Sequence, residues 1–184
     1  PSDAHIEEKD DQFVIIPEQQ GNALKTKKTN KDIIDALVTG RTPIDLEADG
    51  CYKDPKVYQN DKTLVKNCEL INKLTDVVIT YDFDDRTETV DRDTIKNWLT
   101  TDENGLYILD QKQTEAYIRE LADRYDTVGT ERTFNTYDGR EITVGGGNYG
   151  WQIDQKEEVK ELTGLIKNGE TQVREPVYSQ KGLV

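Results

Sequence analysis

Apolar residues along this chain follow two rhythms. In brief runs they stand together or alternate with polar residues, and in longer stretches they recur at every third or fourth position. Phe13-Val14-Ile15-Ile16, closed by Pro17, is of the first kind and predicts a strand. Ile33, Ala36, Leu37 and Gly40 are of the second kind, with Thr29 or Asn30 placed to cap a helix and Gly40 to stop it. Thr42-Pro43-Ile44-Asp45-Leu46 alternates as an edge strand does. A second helix fits residues 61–74, carrying Leu64, Val65, Cys68, Ile71 and Leu74 on one face. The strongest strand signal is residues 77–83, which Asp84-Asp85 turns back into Thr87-Glu88-Thr89-Val90.

Beyond it, Asp91 caps a short helix holding Ile95, Trp98 and Leu99, Asn104-Gly105 makes a turn, and residues 106–109 read as a strand. Asp110 opens the clearest helix, with Gln113 in capping-box register and Tyr117, Ile118, Leu121, Ala122 and Tyr125 on its apolar side. Residues 132–137 and 140–144 flank Asp138-Gly139, a type I′ hairpin signature. Asp154 and Glu157 begin a last helix carrying Val159, Leu162, Leu165 and Ile166, which Gly169 ends before Thr171-Gln172-Val173. These elements predict an α+β fold, a small mixed or antiparallel sheet with about four to five helices packed on it.

The same pass divides the chain. Residues 1–12 are charged and aperiodic, as a disordered tail is. Residues 13–56 form a strand-helix-strand segment, residues 57–178 the main domain, and residues 179–184 a linker. A gapless internal echo sets Ile33, Ala36, Leu37, Gly40, Thr42 and Ile44 against Leu162, Leu165, Ile166, Gly169, Thr171 and Val173. It makes residues 13–56 readable as the end of a preceding repeat, although helix-Gly-strand is also a common succession.

Composition narrows the function classes. Hydrophobic content is 34% and charged content 33%, yet nine Tyr, three Phe and two Trp are enough aromatic mass to argue for a folded chain. A formal charge of -13 repels nucleic acid phosphates and anionic lipid, so neither a nucleic acid nor a membrane surface is an expected partner. No apolar run reaches the length of a membrane span. The chain begins with Pro1 and reads as an excerpt of a longer protein. Cys51 and Cys68 can pair in one disulfide, which would stabilise by about 3 kcal/mol, or Cys68 can be a buried thiol beside Leu64 and Ile71. Two Cys and one His do not make a metal site.

Gly145, Gly147 and Gly150 spell G-x-G-x-x-G, but a hairpin strand precedes them and Trp151-Gln152-Ile153 separates them from the helix cap, so no dinucleotide cofactor is expected. Asp82, Asp84 and Asp85 lack the Gly and Glu of a calcium loop, since Thr87 and Asp93 stand there. Ser2, Ser179 and His5 all lie in expected tails, so no nucleophilic triad can be assembled. The 37 Asp and Glu residues offer many carboxylate pairs, none selected by a local motif. Among aromatics, Trp98 reads as core, whereas Tyr149 and Trp151 follow glycines; they either pack the last helix or stack on a saccharide face.

Taken together, Tyr125-Asp126-Thr127 with Arg132 and Phe134, Gly146-Gly147-Asn148-Tyr149-Gly150-Trp151, and Arg174-Glu175-Pro176-Val177-Tyr178 resemble the peptidoglycan-binding domain that precedes the catalytic domain of Gram-positive L,D-transpeptidases. The resemblance is dense over residues 57–178, while Ile44-Asp45-Leu46 and Tyr52-Lys53-Asp54-Pro55 are similar to the segment ahead of it. It implies a non-catalytic, extracytoplasmic cell-wall module, anchored to the membrane through an upstream segment and linked to a downstream transpeptidase domain that makes 3→3 cross-links. The family's catalytic cysteine sits in a Ser-His-Gly-Cys context that neither Cys51 nor Cys68 shares, so no catalytic residue carries over. An extracytoplasmic setting favours the Cys51–Cys68 bridge. The ligand candidates remain Tyr149 and Trp151.

Overall fold

Polar residues begin the fold. The segment expected as a disordered tail holds β1 (His5–Lys9), which pairs antiparallel with β2 (Gln12–Ile16) from His5 opposite Ile16 to Lys9 opposite Gln12. Asp10 and Asp11 join them with φ of 49° and 59°, the left-handed geometry of a primed two-residue turn. Ladder bonds are backbone bonds and need no apolar pattern, which is why the periodicity gave no sign of β1. Asp3 fastens the entry by accepting from the Lys56 and Val57 amides at 2.5 and 3.3 Å.

The computed structural model describes residues 1–145 and 147–182, excepting the Arg132 side chain; Gly146 of the glycine run and the end of the expected linker therefore lie outside the described residues. The architecture is α+β, and the chain divides into two compact units, residues 1–72 and 73–184.

In the first unit, α1 (Thr26–Thr39) starts earlier than expected, with Lys25 at the N-cap and no side-chain cap. Thr29 instead lies buried inside the helix, its hydroxyl donating to the Lys25 carbonyl at 3.1 Å. Gly40, at φ 70°, ends α1. The edge strand expected at residues 42–46 is absent: the Asp45 carboxylate accepts from the Glu47 and Ala48 amides at 3.0 Å and bends the chain into a turn. Asp61 accepts from the Thr63 and Leu64 amides, opening α2 (Lys62–Thr75). Asn72 exchanges hydrogen bonds with the Phe13 backbone, accepting at 2.9 Å and donating at 2.7 Å, which ties β2 to α2 at the last residue of the first unit.

The expected disulfide is not formed. Cys51 and Cys68 are free thiols, each with its own acceptor: the Cys51 Sγ donates to Asp32 at 3.4 Å and the Cys68 Sγ to the Phe13 carbonyl at 3.1 Å. Ala4, Ala36, Cys51, Pro55 and Ile71 are buried in this unit, a core of mostly small side chains.

The second unit carries the larger core. β3 (Ile79–Asp82) turns through Asp84, at φ 65°, into antiparallel β4 (Thr87–Val90). Asp91 caps α3 (Arg92–Asn97) by accepting from the Thr94 amide, and Leu99, expected inside that helix, begins β5 (Leu99–Thr101). β5 pairs antiparallel with β6 (Tyr107–Leu109), after which Asp110 caps α4 (Gln111–Tyr125). The hairpin of β7 (Arg132–Asn135) and β8 (Glu141–Val144) follows. Its turn is not type I′. Gly139 alone has positive φ, 79°, and the Gly139 and Thr136 amides donate to Thr136 and Arg140 carbonyls, the arrangement of a type I turn with a glycine bulge.

β9 (Gln152–Ile153) was hidden in sequence by its brevity; it leads to α5 (Gln155–Asn168), capped by Asp154 and ended by Gly169 at φ 78°. β10 (Gln172–Arg174) then adds parallel to β3, giving the order β10-β3-β4, and β11 (Tyr178–Gln180) pairs antiparallel with β9. Ile79, Tyr81, Val90, Ile95, Trp98, Ile118, Leu121, Leu162 and Ile166 form one core between this sheet and the helices. Trp98 is core, as its helical spacing predicted.

Candidate functional site

Trp151 is held by its backbone. Its amide donates to the Thr127 hydroxyl at 2.9 Å, and its carbonyl accepts from the Thr127 and Val128 amides at 2.9 and 3.4 Å. That approach needs Gly150: at φ 140°, a Cβ there would lie 2.6 Å from the Thr127 carbonyl carbon and the Val128 nitrogen. Tyr178 from β11 meets the indole edge-on at 4.9 Å, and the Lys181 ammonium stands 5.7 Å from the Trp151 ring and 5.3 Å from Tyr178.

Trp151 thereby becomes the wall between two clefts. One, about 330 Å³, is lined by Thr127, Thr130, Phe134, Val144, Tyr149 and Trp151, so both sequence candidates reach the same hollow. Tyr149 is 75% exposed and Phe134 54%, large ring areas left to solvent beside hydroxyl groups. The other, about 220 Å³, runs from Trp151 and Tyr178 to Phe83 and Tyr125, whose rings stack at 3.7 Å and 4°. Arg86 and Arg124 flank the Tyr125 ring at 5.7 and 5.8 Å, and Glu88 accepts from both Arg124 and the Tyr125 hydroxyl at 2.8 Å. Asp82, Asp84 and Glu175 add carboxylates to its rim. Phe83 and Tyr125 read in sequence as strand and helix positions, and Phe134 and Tyr178 entered only through the family motifs, so none of the four stood out as a ligand candidate.

The electrostatics explain the sequence motif Arg174-Glu175-Pro176-Val177-Tyr178. Glu158 in α5 is fully buried and accepts from the Tyr81 hydroxyl at 2.5 Å, the Arg174 guanidinium at 2.7 Å and the Val177 amide at 2.6 Å. Burial raises its carboxyl above the ordinary Glu value, against the hydrogen bonds from Tyr81 and Val177 and the charge of Arg174. Burial, followed by the Glu158 charge, likewise pushes the Tyr81 phenol far up. Tyr178 is raised to about 12, chiefly by burial. Glu158 thus seats Val177 next to Tyr178 and hence next to Trp151. Asp126 contributes from the other side, accepting from the Ile153 amide at 2.8 Å, with its carboxyl raised by burial.

The N-terminus of α5 is already occupied, the Asp154 carboxylate accepting from the Glu157 amide at 3.1 Å while the Asp154 amide donates to the Val177 carbonyl. Among the described residues no group of three or more His, Cys, Asp and Glu side chains is arranged to hold a metal, and no helix is long and apolar enough to cross a membrane. What the geometry offers is a surface for recognition: flat rings, hydroxyls and carboxylates around hollows open to solvent.

Comparison with known proteins gives the class. The chain matches the family described as "Putative peptidoglycan binding domain" over residues 1–45 and 62–174, and it belongs to that family. Two solved structures are similar at 28% identity: the Ldtfm–avibactam carbamoyl enzyme, with a TM-score of 0.50 over 63% of this chain, and a cysteine-to-serine mutant of an Enterococcus faecium L,D-transpeptidase, with a TM-score of 0.51 over 65%. The chain spans only 45% and 47% of those two chains. A search of curated proteins gave no match.

Proposed function

We propose that this chain is a non-catalytic, extracytoplasmic module that holds an L,D-transpeptidase domain on or near peptidoglycan for 3→3 cross-linking, in a Gram-positive wall and tethered through an upstream membrane anchor. It engages the polymer through the Trp151 clefts. The observation that carries this reading is the convergence of Tyr149, Trp151 and Phe134 on one open hollow in a chain of the peptidoglycan-binding family. Sugar rings present C–H faces that pack on aromatic planes, while the threonine hydroxyls and nearby carboxylates suit sugar hydroxyls and the amide or ammonium groups of stem peptides.

Sedimentation with purified sacculi tests it. A stacked ring contributes about 1 kcal/mol, so Tyr149→Ala should weaken pelleting about fivefold, and Tyr149→Ala with Phe134→Ala by more than tenfold. Both side chains are largely exposed, so these variants remain folded. Unchanged pelleting of the double variant would remove the binding role from this cleft, and absence of pelleting by the parent chain would leave a structural spacer in its place.

A further inference from the structure

Within the second unit, α4 and α5 pack against each other, and a groove of about 820 Å³ opens along them, more than twice the volume of either Trp151 cleft. It shares no lining residue with those clefts. Leu109 and Val159 give it an apolar floor.

Charge sets this groove apart from the rest of the molecule. The chain carries -13 overall, yet four cations, Arg119, Lys156, Lys160 and Lys167, line the groove against two carboxylates, Glu115 and Glu157. Both carboxylates are engaged, Glu115 accepting from Gln111 at 2.7 Å and Glu157 from Lys160 at 3.2 Å. Arg119, Lys156 and Lys167 make no ion pair or side-chain hydrogen bond with any described residue. Arg41, Arg86, Arg92, Arg124, Arg140 and Arg174 all sit in ion pairs, so Arg119 is the one unpaired arginine among the described side chains.

Two residues of the groove also cost stability without a compensating contact inside the chain. Lys156 stands in the first turn of α5, where the helix dipole disfavours a cation. Gly164 lies inside the same helix, where alanine is favoured, and a Cβ added there would meet nothing within 4 Å, so packing does not require the glycine. Lys156, Lys160 and Gly164 recur at every fourth position and therefore share one face of α5. A ligand lying along that face accounts for both the unpaired cations and the open glycine.

We infer that the α4–α5 groove is a second binding site, separate from the Trp151 clefts, for a short peptide bearing free carboxylates and small apolar side chains. Arg119, Lys156 and Lys167 receive the carboxylates, Arg119 through its planar fork. The small side chains rest on Leu109 and Val159, the Gln155 amide donates to and accepts from peptide groups, and Gly164 lets the ligand backbone approach the helix. A phosphate polymer would satisfy the cations and leave the apolar floor unused, so the floor favours a peptide. On the function proposed above, the peptide stems of the wall polymer are this ligand, and that assignment rests on that reading; the preference of the groove for a carboxylate-bearing peptide does not.

The test is to follow amide chemical shifts of the 184-residue chain during titration with a synthetic peptide of alternating alanine and glutamate at low salt. Residues 111–119 and 155–167 should shift saturably, and affinity should fall as salt is added. Arg119→Gln with Lys156→Gln should weaken binding about tenfold or more. Both side chains are exposed and unpaired, so that variant should keep its melting point. Gly164→Ala should raise the melting point and weaken binding, opposite effects that a purely structural glycine would not give. Tyr149→Ala with Phe134→Ala should leave the titration unchanged, and pelleting with sacculi in the absence of any peptide shift would remove the groove while the Trp151 reading stands. Equal binding of the same peptide with glutamine in place of glutamate would overturn the inference. So would tighter binding of inorganic polyphosphate, which would make the occupant a phosphate polymer. Self-association of the free chain that Arg119→Glu abolishes would also overturn it, placing an acidic face of a second copy in the groove.

Discussion

Truncating Glu158 to alanine withdraws one acceptor group from three donors at once. The Tyr81 hydroxyl and the Val177 amide are left without the partner that the fold provides, and Arg174, only 15% exposed at its side chain, loses its carboxylate. A buried neutral donor left unpaired costs about 1–3 kcal/mol, and breaking a buried ion pair from one side about 3–5 kcal/mol. These overlap, because Arg174 can recover part of its hydration, so Glu158→Ala should destabilise the second unit by about 3–5 kcal/mol in total. At about 3–5 °C per kcal/mol for a unit of this size, the melting point should fall by roughly 10–20 °C. Trp98 and Trp151 both belong to the second unit, so tryptophan fluorescence during urea unfolding reads that unit by itself. Glu158→Gln should cost less than Ala, since its amide still accepts from Val177. The pH dependence has a definite sign. The folded carboxyl lies above the ordinary value of 4.5, so as pH rises past that value the folded state still holds the proton that the unfolded chain gives up. The Glu158 contribution therefore falls with rising pH through that window, and the stability of the wild-type chain minus that of Glu158→Gln should slope downward. A loss below about 1 kcal/mol for Glu158→Ala, or strict additivity with Arg174→Ala, would refute the network as described.

Three further outcomes follow from named contacts. Gly150→Ala forces a Cβ to 2.6 Å from the Thr127–Val128 backbone at φ 140°, and should cost about 2 kcal/mol or more while shifting Trp151 emission, as read in the same urea experiment. Without reductant, the 184-residue chain should show two free thiols in denaturant and slow reaction in the folded state, Cys51 because it is buried and Cys68 because burial raises its thiol; a thiol count near zero would restore the bridge. Replacing Asp10-Asp11 by Asn-Gly, residues better suited to two positive φ values, should stabilise the β1–β2 hairpin by about 0.5–1 kcal/mol, seen as slower amide exchange in both strands.

Helix signals were the legible part of this sequence, and the reason is visible at their ends. Asp91, Asp110 and Asp154 each accept a hydrogen bond from the first turn, and Gly40 and Gly169 stop their helices in the left-handed region, so local chemistry sets those boundaries. Strands were legible where an apolar face repeats, as in β3, and illegible where backbone pairing alone defines them, as in β1 and the two-residue β9. The site divides in the same way. Tyr149 and Trp151 announced themselves by following glycines. Phe83 and Tyr125 meet across a long stretch of chain, as do Trp151 and Tyr178, and nothing local distinguishes such pairs from core residues.

The comparison between α1 and α5 shows why a buried charge pair leaves so faint a trace in sequence. Thr29 occupies the place of Glu158, and Asp45 the place of Arg174, so the ion pair is present at one end of the chain and wholly absent at the other. Both of its members differ together. In the first unit the Thr29 hydroxyl donates to the Lys25 carbonyl, and Asp45 spends its carboxylate on the Glu47 and Ala48 amides. No charge is left buried there. An unpaired buried charge is costly, whereas a matched pair and a neutral substitute are close in free energy, so single replacement is the disfavoured route between the two states. A Glu on the inward face of an amphipathic helix reads as a flaw in the pattern when α5 is taken alone. Set beside Arg174 a short distance downstream, it marks the point where the chain leaves the helix and is directed to Tyr178 and the Trp151 clefts.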